Sequence, residues 1–314
     1  MNLTQSRHHL AIAAGVVLLM GLLSLAVRPL LPVDETRYIS VAWEMWSTDS
    51  WWLPTRNFAH YMHKPPLLFW LIHLGWAVFG VNEWWPRLLS PMLAVVNLWL
   101  IGRLSRTLWP ATPDVERHAP LILMSSWLTL AYSTTLMFDT LMTSSVLLAA
   151  WGLARADRGE RGGWALLIGG VALGLLTKGP VILVYGMPVA VAHRLWTVRP
   201  GQRWFRFLLP CLLVASMPIL IWVLAIAQTT DNAHLRELLV TQTLARIDGT
   251  VGHGRPSWWY LPWLAPTAMP WVLWPAFWRR LRQFPGQAFA DRSLRFVVIA
   301  AVSALLILSL IGGK

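Results

Sequence analysis

Apolar and polar positions fall in blocks along this chain, not in the alternation of a half-buried strand or the narrow stripe of a surface helix. Apolar stretches cover approximately residues 10–31, 65–81, 87–102, 119–137, 141–154, 164–176, 180–192, 207–227, 261–277 and 296–311. A helix crossing a bilayer core needs about 17 to 25 such residues, so the blocks predict a helical membrane protein. Arginines punctuate them, as Arg103, Arg106 and Arg117, then Arg155, Arg158 and Arg161, then Arg194, Arg199, Arg203 and Arg206, then Arg279, Arg280, Arg282, Arg292 and Arg295. Short cytoplasmic loops collect such charges, so the clusters, together with Arg7, belong on one side and an even number of crossings separates them. Every interval fits if the 65–81 run lies in the outer interface instead of crossing, which leaves about nine crossings. Inside segments then hold about 16 arginines and 5 acids, and outside segments about 10 basic and 9 acidic residues. Trp70, Trp76, Trp84 and Trp85 around that run suit the headgroup region.

Composition agrees. With 56% hydrophobic and 13% charged residues among 314, and a mean hydropathy of +0.52, there is too little polar surface for a soluble globule. The net charge of +12 does not indicate nucleic acid, because the arginines interrupt apolar runs and form no soluble basic face. Cys211 lies within an apolar run and is the single cysteine, so it excludes an internal disulfide. The first apolar stretch is too long for a signal-peptide core and has no small-residue cleavage site, and it reads as a retained first crossing.

Chemistry is sought in the outside segments, residues 32–86 and 229–260, and in the outside turns at 138–140 and 177–179. Asp34 and Glu35 follow the first crossing in LPVDETRY. Asp34 is a candidate catalytic carboxylate, with capping of the helix behind it as the structural alternative. Lys64, in HYMHKPP, is one of three lysines and either binds a phosphate as a point charge or snorkels to the headgroups. Asp139 interrupts an apolar hairpin in FDTLMT and is either a site carboxylate or a helix cap. Lys178, in LTKGP, stands at the matching turn. Arg246 and His253, in ARIDGTVGHGRPSWWY, either meet a phosphate or sugar or belong to an amphipathic surface loop. All fall on the same membrane face. Cations there could hold a phosphate while a carboxylate deprotonates an acceptor hydroxyl. No group has clear metal-ligand spacing, so no metal is assigned, with a divalent cation between carboxylates left as an open alternative.

Taken in order, DETRY, HKPPLLFW, the arginine-flanked third apolar run, FDTLMT, LTKGP and PSWWYLPW resemble the bacterial aminoarabinose transferase and protein mannosyltransferase superfamily, the GT-C glycosyltransferases. The resemblance implies an all-α GT-C bundle with a large first periplasmic loop containing interfacial helices. It also implies a polyprenyl-phosphate or dolichyl-phosphate sugar donor and inverting transfer to a lipid, such as a lipid A-like acceptor, or to a protein or glycan. Asp34 and Asp139 match the catalytic acids. Lys64, Lys178 and Arg246 match phosphate-binding cations, and Glu35, Arg37, Tyr38, Tyr61 and His253 join them as candidate substrate-binding residues. Two departures stand out. His63 occupies the place before the lysine where relatives often carry an acid, and the chain stops at Lys314, in a segment after which relatives continue with further helices. The expectation is one catalytic domain over 1–314 in a bacterial inner membrane, with a cytoplasmic N-terminus, a periplasmic active site and lipids as partners. The alternatives are a transporter or flippase of a lipid-linked anion and an inactive, shortened GT-C relative.

Overall fold

The computed structural model describes residues 3–61, 63–200, 203–230 and 255–311. The apolar blocks fold as helices, and the sheet among these residues is one two-stranded hairpin. α1 (Leu3–Val27) leads to α2 (Asp34–Ser47), to the hairpin β1 (Thr55–Arg56) and β2 (Ala59–His60), and to α3 (Leu67–Phe79). α4 (Trp84–Leu108), α5 (Pro113–Ser125), α6 (Trp127–Ser133), α7 (Phe138–Asp157), α8 (Gly163–Lys178), α9 (Val181–Val191), α10 (His193–Trp196) and α11 (Trp204–Thr229) follow. After the undescribed stretch come α12 (Leu261–Thr267), α13 (Pro275–Ala290) and α14 (Arg292–Leu310).

Among the described residues α1, α4, α11 and α14 are long and apolar enough to cross a bilayer, and α6 with α7 would make a fifth span bent by 117°. α3 has 13 residues, about 20 Å of helix against a hydrocarbon core of about 30 Å, so it is too short to cross unaided. α8 and α9, in two blocks expected to cross, have 16 and 11 residues and fall short by the same measure, so length alone does not separate α3 from them. Two expected crossings differ from single helices. The 119–137 block breaks at Ser126, whose backbone is extended, and again between α6 and α7. The 261–277 block follows a 3-10 turn at Ser257–Tyr260 and comprises the seven-residue α12, a second 3-10 turn at Trp271–Leu273 and the start of α13. Pro262, Pro266, Pro270 and Pro275 recur there; Pro262 and Pro275 stand at helix starts, where proline is tolerated, and one continuous helix would lose a bond and meet a clash at Pro266, Pro270 and Pro275.

α4, α7, α8, α9, α11 and α14 enclose the main core, which includes Leu104, Leu153, Leu167, Trp196, Trp204 and Phe296. A second cluster, with Tyr38, Met45, Phe69, Ile72, Leu136 and Phe138, packs α2 and α3 onto the start of α7. This second cluster underlies the site.

Candidate active site

α1 ends just before a knot of polar groups that fixes the start of α2. The Glu35 carboxylate is fully buried; Arg28 donates to it twice, at 2.6 and 3.0 Å, and the amides of Leu31 and Leu136 donate at 2.7 and 2.8 Å. Arg28 also donates to the Thr134 carbonyl, and Arg87 of α4 donates to the Ser24 and Arg28 carbonyls at 2.6 and 3.0 Å. Burial pushes the Glu35 carboxyl up, but the Arg28 hydrogen bond, the two amides and the Arg28 charge outweigh it and hold the group below the ordinary carboxylate value. Glu35 is therefore a structural anchor, away from the cleft, which corrects its expected place among substrate-binding residues.

One residue earlier, the chemistry changes. Asp34 is the first residue of α2, whose cap is Val33, so the capping alternative does not hold. Its Oδ1 accepts from Arg37 and, at 3.2 Å, from the Tyr38 hydroxyl, and no donor reaches Oδ2 among the described residues. Burial, and after it the Asp34 charge, push the Tyr38 phenol far above its usual value, so it stays a hydrogen-bond donor. Val33 has φ 76°, a left-handed conformation that is an outlier for a β-branched residue and sits directly before this carboxylate.

Asp34, Arg37 and Tyr38 line a cleft of about 840 Å³ together with Tyr61, His63, Lys64 and the hairpin residues Arg56, Asn57 and His60. Two arginines, a lysine and two histidines thus face one carboxylate. The structure gathers Asp34, Arg37, Tyr38, Tyr61 and Lys64 as a group, and it adds Arg56, Asn57 and His60, which were not singled out, and His63, which stood out only as a departure from relatives. The Lys64 Nζ lies 5.7 Å from the centre of the Phe138 ring, which Tyr38 and Phe69 also meet edge-on at 4.9 and 5.5 Å.

Phe138 opens α7, and Asp139 beside it does not line the cleft. Its Oδ1 accepts from Lys178 Nζ at 2.7 Å, joining the first turn of α7 to the last of α8. Those ends favour an acid and a cation respectively through the helix dipoles. The cap of α7 is Met137, so Asp139 is not a cap either. The single constellation expected of these residues is therefore two adjacent groups, a cleft and a bridging pair. Arg246 and His253 lie outside the described residues. The described residues contain no group of three potential metal ligands. Inside the bundle, Asn97 donates to the Thr140 carbonyl at 3.1 Å and accepts from Ser144 at 2.7 Å.

A helical membrane bundle with a basic cleft beside the first crossing defines the fold as that of the GT-C class. Residues 63–226 match the model of the family described as dolichyl-phosphate-mannose-protein mannosyltransferase, and the chain belongs to that family. It is similar, at 31% identity over 76% of this chain and 43% of the relative, to undecaprenyl phosphate-alpha-4-amino-4-deoxy-L-arabinose arabinosyl transferase 1 of Pseudomonas fluorescens strain Pf0-1. A relative of the same description from Pseudomonas paraeruginosa is 33% identical over 86% of this chain and 49% of the relative. In shape the chain resembles the crystal structure of ArnT from Cupriavidus metallidurans bound to undecaprenyl phosphate. The TM-score is 0.81 at 19% identity, covering 97% of this chain and 56% of that one. The apo form of that protein gives 0.76 at 21% identity, covering 97% and 55%. The chain spans about half the length of the curated relatives it matches.

Proposed function

We propose that the chain carries the donor-binding and catalytic half of a membrane glycosyltransferase, which moves a sugar from a polyprenyl-phosphate carrier to a lipid A-like, protein or glycan acceptor. The observation that carries this reading is the cleft itself: a carboxylate with one oxygen held by Arg37 and Tyr38 and one that no donor reaches among the described residues, set among Arg37, Arg56 and Lys64. In the transfer, the acceptor oxygen bonds to the anomeric carbon as the bond from that carbon to the phosphate oxygen breaks, and the electron pair leaves with the phosphate. Lys64 and Arg37 meet the charge that grows on the departing phosphate, where fixed cations lower the barrier most. Attack from the opposite side inverts the anomeric centre. A hydroxyl acceptor loses its proton to Asp34 Oδ2; a phosphate acceptor has none to lose, and Asp34 then orients it. The Asp139–Lys178 pair supports the floor of this site through Phe138. The cleft opens on the periplasmic side of a bacterial inner membrane, and the N-terminus is cytoplasmic.

The test is transfer in membranes from radiolabelled polyprenyl-phosphate sugars to endogenous acceptors, for wild type and Asp34→Asn at matched levels of inserted protein. Loss of a general base costs about 100- to 10,000-fold, so transfer by Asp34→Asn falls at least about 100-fold if the acceptor is a hydroxyl. Wild-type transfer that the substitution leaves intact would remove Asp34 from catalysis, and no transfer by the inserted wild type from any donor would overturn the proposed activity.

A further inference from the structure

We propose that Glu44, which does not touch the cleft, is a positioning residue of the same site: its buried carboxylate holds the Asn57–Phe58 turn and so sets Arg56 and His60 against the cleft. This rests on the reading of the cleft as a transfer site. Glu44 is 5% exposed, and it lies on α2, the helix that begins with Asp34. Its Oε1 accepts from the Asn57 amide at 2.5 Å and its Oε2 from the Phe58 amide at 3.0 Å. Those two residues form the two-residue loop of the β1–β2 hairpin, with φ 52° and 59° and the register Arg56↔Ala59 and Thr55↔His60.

Two consecutive left-handed residues suit Asn-Gly, and a bulky aromatic at the second position is disfavoured there. The hairpin is only two residues long on each side, too short to hold such a loop by its own ladder. Glu44 supplies what the turn lacks, a charged acceptor for both amides, and charge-assisted bonds to an ionised carboxylate are the stronger kind. The Ala42 carbonyl accepts at 2.8 Å from His73 of α3, so the middle of α2 is itself tied down. One helix thus carries the reacting carboxylate at its start and the clamp for Arg56 and His60 about 15 Å further along.

The experiment compares wild type, Glu44→Gln, Arg56→Ala, the double variant, and Glu44→Gln with Phe58→Gly, all as full chains. Glu44→Gln retains one acceptor and turns an amide N–H toward the other donor. Sugar-transfer kinetics are expected to show KM raised about tenfold by Glu44→Gln with kcat changed less than threefold, and the same for Arg56→Ala. The double variant should be no worse than the worse single one, because Glu44 acts through the hairpin. Glycine at position 58 takes the left-handed conformation freely and should restore most of the loss. Additive losses, an unchanged KM, or a failure of Phe58→Gly to rescue would overturn the proposal. Hydrogen exchange of residues 55–60 reads the clamp without turnover: it should quicken in Glu44→Gln and slow again with Phe58→Gly. If the wild type transfers no sugar, the reading of the cleft fails, while unaltered exchange in Glu44→Gln removes the clamp whatever the activity.

Discussion

Asp34 and Glu35 are neighbours with opposite surroundings. Asp34 is 38% exposed at its side chain and has an oxygen to spare; Glu35 is fully enclosed and spends both oxygens on four donors. Replacing Glu35 by Gln leaves Arg28, which is half-buried, without its counter-charge; breaking a fully buried pair costs about 3 to 5 kcal/mol, which bounds the loss from above. Thermal unfolding in detergent at pH 7 should therefore show Glu35→Gln melting well below wild type. The pH dependence has a definite sign. A carboxyl held below its unfolded value of 4.5 stabilises the fold fully above that pH, and the contribution is lost on acidification through the lowered folded value. Wild type should thus be level in this respect above about pH 5 and lose stability below about 4.5, and Glu35→Gln should lack that component of the acid loss. DETRY displays both acids equally in the sequence. What separates them is the set of donors that reaches Glu35 alone, Arg28 and Leu31 nearby and Leu136 101 residues away, and no local pattern encodes that last pairing. Arg56 and His60 were hidden for a related reason, since Asn57–Phe58 lacks the Asn-Gly signature that marks such a turn.

Among the elements, the α7–α8 hairpin bears most directly on the site, because the Asp139–Lys178 pair closes one end of it. Its helices touch backbone to backbone. A Cβ added at Gly170 would lie 2.4 Å from the Ala149 nitrogen, and one at Gly163 would lie 2.5 Å from the Ala156 nitrogen. Small residues that admit such approach are what membrane helices use where the hydrophobic effect cannot drive association. Gly169, one position along, has only the end of Leu148 within reach, at 3.8 Å. Gly170→Ala should therefore lower the melting temperature sharply and weaken transfer by moving Lys178 off Asp139. Gly169→Ala should be neutral or slightly stabilising, since alanine is the better helix former by about 1 kcal/mol. Equal behaviour of the two would show that the hairpin packs otherwise. The sequence shows both glycines inside one apolar run, and helical periodicity makes the hairpin legible, but which glycine faces α7 is a fact of packing. The proline-broken 261–277 block shows the reverse: hydropathy suggested a crossing, although the prolines that prevent a continuous helix were plain to see.

Across the whole molecule, the arginine clusters and α3 form one argument about topology. Arg103 through Arg117 and Arg155 through Arg161 share a side only if an even number of crossings separates them, and Arg7 joins them only if α3 does not cross. What the fold supplies is packing: the buried face of α3, with Leu68, Phe69, Ile72 and Trp76, lies in the cluster beneath the cleft. Its His73 donates from Nε2 to the Ala42 carbonyl of α2 at 2.8 Å, and Trp85 at the head of α4 donates to the Leu71 carbonyl at 3.1 Å, so both neighbours hold α3 beside them. Single cysteines in a Cys211→Ser background test this, at Thr48 before α3, at Glu83 after it and at Arg161 between α7 and α8, all exposed positions. With a maleimide that cannot cross membranes, applied to cells whose outer membrane alone is opened, Thr48→Cys and Glu83→Cys should both react. Arg161→Cys should react only after the inner membrane is permeabilised. Labelling of Thr48→Cys without Glu83→Cys would make α3 a crossing, put α4 the other way round, and separate the cleft from the side to which charge assigns it. Labelling of both, with Arg161→Cys protected, fixes Asp34 and the Asp139–Lys178 pair on one face, because Asp139 and Asp157 stand about 27 Å apart at opposite ends of α7.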